Sequence, residues 1–127
     1  MKSHEEIETL EKLIGRLNAT HTEISQLAKK SPSDSVNKFK LKYINQVITS
    51  GNDILGDKYK PLAGFDFFED DDIPSNSDVT MVLSQYLEEA ERYRSASIVQ
   101  SFNSYYYVIN GEKSEVRAAP PSWSKKK

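Results

Sequence analysis

The chain has 127 residues, 37% of them hydrophobic and 28% charged, the size and polarity of one domain with a real core inside a polar shell. A formal net charge of -2 gives no overall pull toward nucleic acid, and the absence of cysteine removes disulfides, thiolate metal sites and cysteine nucleophiles together. No apolar run approaches the ~18 residues of a membrane span and no signal-peptide core opens the chain, so a soluble cytoplasmic protein without membrane contact is expected.

From Ser3 to about Lys30, Ile7, Leu10, Ile14, Leu17, Ile24 and Ala28 recur at helical spacing, and Leu13 and Leu27 widen the stripe. Glu5, Glu6 and Glu8 crowd the first turns while Lys29 and Lys30 close the last, the polarity that the helix dipole favours. Ser31-Pro32-Ser33 ends this helix.

Asp34 to about Leu55 reads two ways. Lys38 to Tyr43 alternates like a half-exposed strand, yet Val36, Phe39, Tyr43, Val47 and Ile54 fit one helix face, with Leu41, Ile44, Ile48 and Leu55 on its flank. The length of the pattern favours a helix, capped at Ser33 or Asp34 and ended or broken at Gly51-Asn52.

Between Gly56 and Asn76 no period survives. A loop of this length in a small domain is usually functional or disordered, and Tyr59, Leu62, Phe65, Phe67, Phe68 and Ile73 supply enough apolar area to pin it to the helices. Ser75 and Asp78 then make a capping-box start for a third helix, expected over Ser75 to Ser101, with Val79, Val82, Leu83, Tyr86, Ala90, Tyr93 and Ser97 on one face. Beyond it, Ser104–Ile109 and Glu112–Arg117 flank Asn110-Gly111 as the arms of a β-hairpin with a type I′ turn. Ala118 to Lys127, with Pro120-Pro121, Trp123 and three terminal lysines, reads as a flexible tail outside a single domain over residues 1–117. The expected fold is mainly α: a three-helix bundle, a long aromatic and acidic loop between helices two and three, and a C-terminal hairpin.

The most distinctive chemistry is the stretch in which Phe65, Phe67 and Phe68 alternate with Asp66, Glu69, Asp70, Asp71 and Asp72. Consecutive acids without the Asp-x-Asp-x-Asp-Gly pattern do not make a calcium loop, so no metal or cofactor is expected. Aromatic anchors inside a charged rim match interface anatomy instead, and Phe65, Phe67, Phe68, Asp70, Asp71, Asp72 and Trp123 are the candidate partner-binding residues. The occupant expected is a protein, basic where it meets the carboxylates, and self-association is a further option. Lys29, Lys30, Lys38, Lys40 and Lys42 form a basic cluster, but no recognition helix or glycine-rich loop accompanies it, and nucleic acid ranks below protein.

Arg16 and His21, spaced Arg-x-x-x-x-His inside a helix, resemble the ribonuclease motif of HEPN domains over those six residues. The resemblance implies metal-independent RNA cleavage at a dimer interface, with His21 handling a proton and Arg16 stabilising phosphate charge. With His4 and His21 the only histidines and no nucleophile elbow, no hydrolytic triad is indicated. The sequence is expected to encode a non-enzymatic interaction or regulatory subunit of an intracellular assembly, with a HEPN-like ribonuclease or a small nucleic-acid-binding protein as the alternative.

Overall fold

A computed structural model describes residues 1–121 of the chain; Trp123 and the terminal lysines lie outside the described residues. Three helices come first, α1 (His4–Lys30), α2 (Lys38–Tyr59) and α3 (Asn76–Ala96). Three strands follow, β1 (Ile98–Ser101), β2 (Ser104–Ile109) and β3 (Glu112–Ala118), in one antiparallel sheet of order β1-β2-β3. The architecture is therefore mainly α with a C-terminal sheet.

Ser3 caps α1 by accepting the Glu6 amide at 3.2 Å, and the acidic first turn and basic last turn complete the expected polarity. Ser75 caps α3 with a full capping box: its hydroxyl accepts the Asp78 amide at 3.1 Å while Asp78 accepts from the Ser75 amide. One core joins all three helices, built from Leu10, Leu13, Leu17 and Ile24 of α1, Leu41, Ile44, Val47, Ile48 and Leu55 of α2, and Val79, Leu83, Tyr86 and Ala90 of α3. Among the described residues no helix is long and apolar enough to cross a membrane.

Three sequence expectations change. The cap of α2 is Asn37, whose side chain accepts the Lys40 amide at 2.8 Å, rather than Ser33 or Asp34. Residues 31–36 serve a different purpose, for they clamp the entry of α3: the Asn76 amide donates to the Asp34 carbonyl at 2.8 Å, the Asn76 side chain to the Ser31 carbonyl at 2.9 Å, and the Val36 amide to the Pro74 carbonyl at 3.1 Å. Nor does α2 break at Gly51-Asn52. Gly51 is buried inside the helix, because the Tyr86 ring of α3 occupies the space a side chain there would need, and the break comes instead at Gly56, with φ 66°.

The third change concerns the end of α3. Ser97 caps it, and Ile98–Ser101, expected as its last turn, is strand β1, paired with β2 from Ile98↔Tyr107 to Ser101↔Ser104. Two β-branched residues followed by a turn gain more from a strand partner than from another exposed helical turn. Asn110-Gly111 turns between β2 and β3 with φ 53° and 81°, as a type I′ turn requires. The β1–β2 turn carries Phe102 at φ 58°, almost wholly in solvent at 96% exposure. From Ser95 to Gly111 the chain has no charged side chain.

Tyr107 is the tyrosine of β2 that is fully buried, and its hydroxyl donates to the Glu11 carboxylate at 2.8 Å. Arg94, nearly buried, forks onto Glu91 at 2.7 and 2.8 Å and donates to the carbonyls of Ala119 at 2.9 Å and Pro120 at 3.0 Å. The start of the C-terminal segment is thereby tied to α3.

Candidate docking surface

The core stripe of α2 is Leu41, Ile44, Val47, Ile48 and Leu55, the set that sequence periodicity placed on the flank, joined by Val47 of the expected face. Rotating the helix to bury that stripe turns Lys38, Phe39, Lys42, Tyr43, Gln46 and Thr49 outward. Phe39 is 84% exposed and Tyr43 44%, so two aromatic rings that the pattern assigned inward stand in water. Exposed rings at i and i+4 on a helix are a costly arrangement for a surface with no partner.

Across from this face lies the aromatic and acidic loop, held by side chains of α2. Asn45 grips Phe68 at both backbone groups, donating to its carbonyl at 2.9 Å and accepting its amide at 2.9 Å. Asn52 donates to the Asp66 carbonyl at 3.1 Å, and Lys60 pairs with the Asp66 carboxylate at 3.1 Å. These bonds fix the backbone on both sides of Phe67. Phe65 and Phe68 meet edge to face, centroids 5.1 Å apart, and pack on the core; Phe67 points the other way and keeps 47% of its surface exposed. Of the three phenylalanines expected at a partner surface, Phe67 presents its ring.

Between α2 and the loop runs a groove of about 890 Å³. Arg16 of α1 and Lys38 and Lys42 of α2 line it, with Tyr43, Asn45, Phe67 and Asp70. Adjoining it and sharing Asn45, Phe67 and Asp70, an acidic depression of about 390 Å³ is shaped by these residues with Phe68, Glu69 and Asp71. A third hollow, about 270 Å³, sits beside Phe39 and Tyr43 over Ala19, Thr20, Ile24 and Ile44, with the Glu23–Lys40 ion pair at its edge. Among the described residues, none of Arg16, Lys38, Lys42, Glu69, Asp70 and Asp71 is held in an ion pair within the chain. Phe67 thus stands among exposed charges of both signs, with Asp70 lining the same groove as Arg16, Lys38 and Lys42.

The chain matches no family model, no curated protein and no solved structure. The surface has to be read from its own chemistry.

Asp72 is exposed next to the acidic depression but does not line it. Lys29 and Lys30 lie apart from the groove, around a shallow hollow with Lys40 and Glu23. Arg16 lines the main groove and His21, half-buried, does not; five residues apart on α1, they project about 140° from each other around the axis. Among the described residues no group of three or more carboxylates and histidines is placed to hold a metal ion.

Sequence reasoning missed Phe39, Tyr43, Asn45 and Asn52 as parts of this surface. The available signal was the perfect alternation of lysine with Phe39, Leu41 and Tyr43, which on a helix spreads apolar residues all around the axis and so guarantees that some face water.

Proposed function

We propose that the protein is a non-enzymatic interaction subunit of an intracellular assembly, docking a protein partner along the groove between α2 and the 65–72 loop. The observation that carries this reading is Phe67, held half out of water on a backbone that Asn45 and Asn52 fix on either side, among exposed charges of both signs. A fixed aromatic ring inside a charged rim is the anatomy of an interface anchor. Its partner would present apolar surface to Phe67 and Tyr43, acid to Arg16, Lys38 and Lys42, and base to Glu69, Asp70 and Asp71.

Two alternatives fit less well. A nucleic-acid strand could stack on Tyr43 and Phe67 above the cations, but Asp70 on the groove wall and the acids beyond it repel phosphate. Ribonuclease chemistry of the kind the HEPN resemblance implies needs Arg16 and His21 at one reacting phosphate; within one chain Arg16 lines the groove and His21 does not, so such a site would have to draw the two from different copies.

The test is photo-crosslinking from an amino acid placed at position 67 in cells, identification of the captured protein, and calorimetric titration of that protein against wild type and Phe67→Ser. Loss of affinity by about 2 kcal/mol supports an anchor role. Equal affinities would end it. Phe68→Ser is no substitute, because that ring belongs to the core. Binding that falls with a steep log-log dependence on salt and is abolished by Lys38→Glu with Lys42→Glu, in the absence of protein partners, would favour nucleic acid.

A further inference from the structure

We propose that the corner built by the last turn of α1 and the first turn of α2 is a site for an anionic lipid surface, with Phe39 as the ring that enters it. This corner is separate from the groove at Phe67: Phe39 does not line that groove but the hollow over Ala19, Thr20 and Ile24 of α1.

Two properties meet here, and the first is charge. Residues 29–42 carry five lysines, Lys29, Lys30, Lys38, Lys40 and Lys42, against one carboxylate, Asp34, in a chain whose net charge is -2. Lys29 and Lys30 share a hollow with Lys40 and Glu23, and that pair also lines the hollow beside Phe39. Among the described residues Lys40 is held by Glu23, while the other four lysines have no ion-pair partner within the chain.

The second property is the ring. Phe39 and the fully buried Ile48, nine residues apart, project about 180° from each other around α2. The ring therefore points away from the core, 84% exposed, with Lys38 and Lys42 on one flank and Lys40 and the half-exposed Tyr43 on the other. A bilayer of acidic lipids matches both properties at once: headgroup charge takes the lysines, and the acyl boundary beneath takes the ring. Single-stranded nucleic acid offers the same charge, but base stacking uses a ring laid flat on protein, and Phe39 has little protein beneath it. Among the described residues no helix is suited to cross a membrane, and docking on its surface requires none.

Co-sedimentation of the full chain with vesicles tests this, using phosphatidylcholine alone and phosphatidylcholine with about a quarter phosphatidylserine. Wild type should bind the mixed vesicles and not the neutral ones, with affinity falling about tenfold or more from low to high salt. Lys38→Glu with Lys42→Glu should weaken binding about tenfold or more, because each lysine near an anionic surface contributes about fivefold. Phe39→Ser should weaken it about fivefold by removing the inserted ring. All three residues are exposed, so the variants should fold, with circular dichroism as the control. Because the chain has no cysteine, an environment-sensitive dye attached through Phe39→Cys reports on that position alone. Its emission should shift to the blue on mixed vesicles, while the same dye at Met81→Cys, on exposed α3 surface, should not shift. No binding to mixed vesicles at low salt, binding indifferent to the lysine pair or to Phe39, or a dye at position 39 that shifts no more than one at 81 overturns the inference. So does an oligothymidylate that binds more tightly than the vesicles and is kept by Phe39→Ser, which would assign the corner to nucleic acid.

Discussion

The hydroxyl of Tyr107, in the middle strand of the sheet, donates a hydrogen bond to the carboxylate of Glu11 on α1, joining residues 96 positions apart at 2.8 Å. Burial raises the Tyr107 phenol to about 12, the Glu11 carboxylate adds to the shift, and Arg94 opposes it. Tyr86, buried between α2 and α3 and donating to Asn52 at 2.6 Å, is likewise pushed up to about 12, mainly by burial. Both phenols hold their protons in the folded chain through a range where the unfolded chain, with the ordinary value of 10.0, loses them. Stability is therefore complete below pH 10 and falls as pH rises toward about 12. Urea unfolding across that range should show the loss, and Tyr107→Phe should remove the share of Tyr107 and leave that of Tyr86, while lowering stability at neutral pH by about 1 kcal/mol.

Asn45 carries no charge and no ring, yet it sets where Phe67 points. Replacing it by alanine strands the Phe68 amide and carbonyl, at a cost of about 1–3 kcal/mol where these remain shielded from water. Asn45→Ala should speed hydrogen exchange at the Phe68 amide well before global unfolding and weaken the proposed docking. Unchanged exchange at that amide would contradict this account.

Gly51→Ala ought to stabilise a helix by roughly 1 kcal/mol on propensity alone. At this position the added carbon would lie 3.1 Å from one Tyr86 ring carbon and 3.3 Å from another, and the ring is pinned by its bond to Asn52. The expected result is a net destabilisation of about 1 kcal/mol, read from the thermal midpoint, because the overpacking penalty exceeds the propensity gain.

At the β1–β2 turn, Phe102 holds a positive φ at the first of two turn positions, where glycine is the usual occupant. Strain of this kind costs of order 1–3 kcal/mol, and glycine gives back part of that in backbone entropy. Phe102→Gly should raise stability by about 1 kcal/mol in chemical denaturation, with no change in docking at Phe67.

The parts legible from the sequence are those governed by neighbours along the chain. The stripe of α1, the Ser75–Asp78 capping box and the Asn110-Gly111 turn are local devices, and each is found where it was read. The parts that were not legible depend on distant partners. Which apolar residues of α2 face inward is decided by α1 and α3, which select Leu41, Ile44, Val47 and Ile48 and leave Phe39 and Tyr43 outside. Gly51 looks like a helix breaker until Tyr86 is placed against it. Ile98 and Val99 continue a helical row on paper, and become strand only because Tyr106 and Tyr107 return to pair with them. Of the candidate site, the loop and its acids were visible by composition, whereas the division of labour among Phe65, Phe67 and Phe68 required the fold.

Seventeen successive residues without charge, Ser95 to Gly111, supply two of the three strands, and the outer strand Ile98–Ser101 leaves one backbone edge unpaired. Freed from the helices, such a segment is a template on which identical chains can stack strand by strand. Arg94 and Glu112 stand as sentries at its two borders, and the tether from Tyr107 to Glu11 keeps its middle under cover. Where that tether is cut, the uncharged ribbon is the part of the chain whose exposure on heating favours strand-by-strand association over return to the fold.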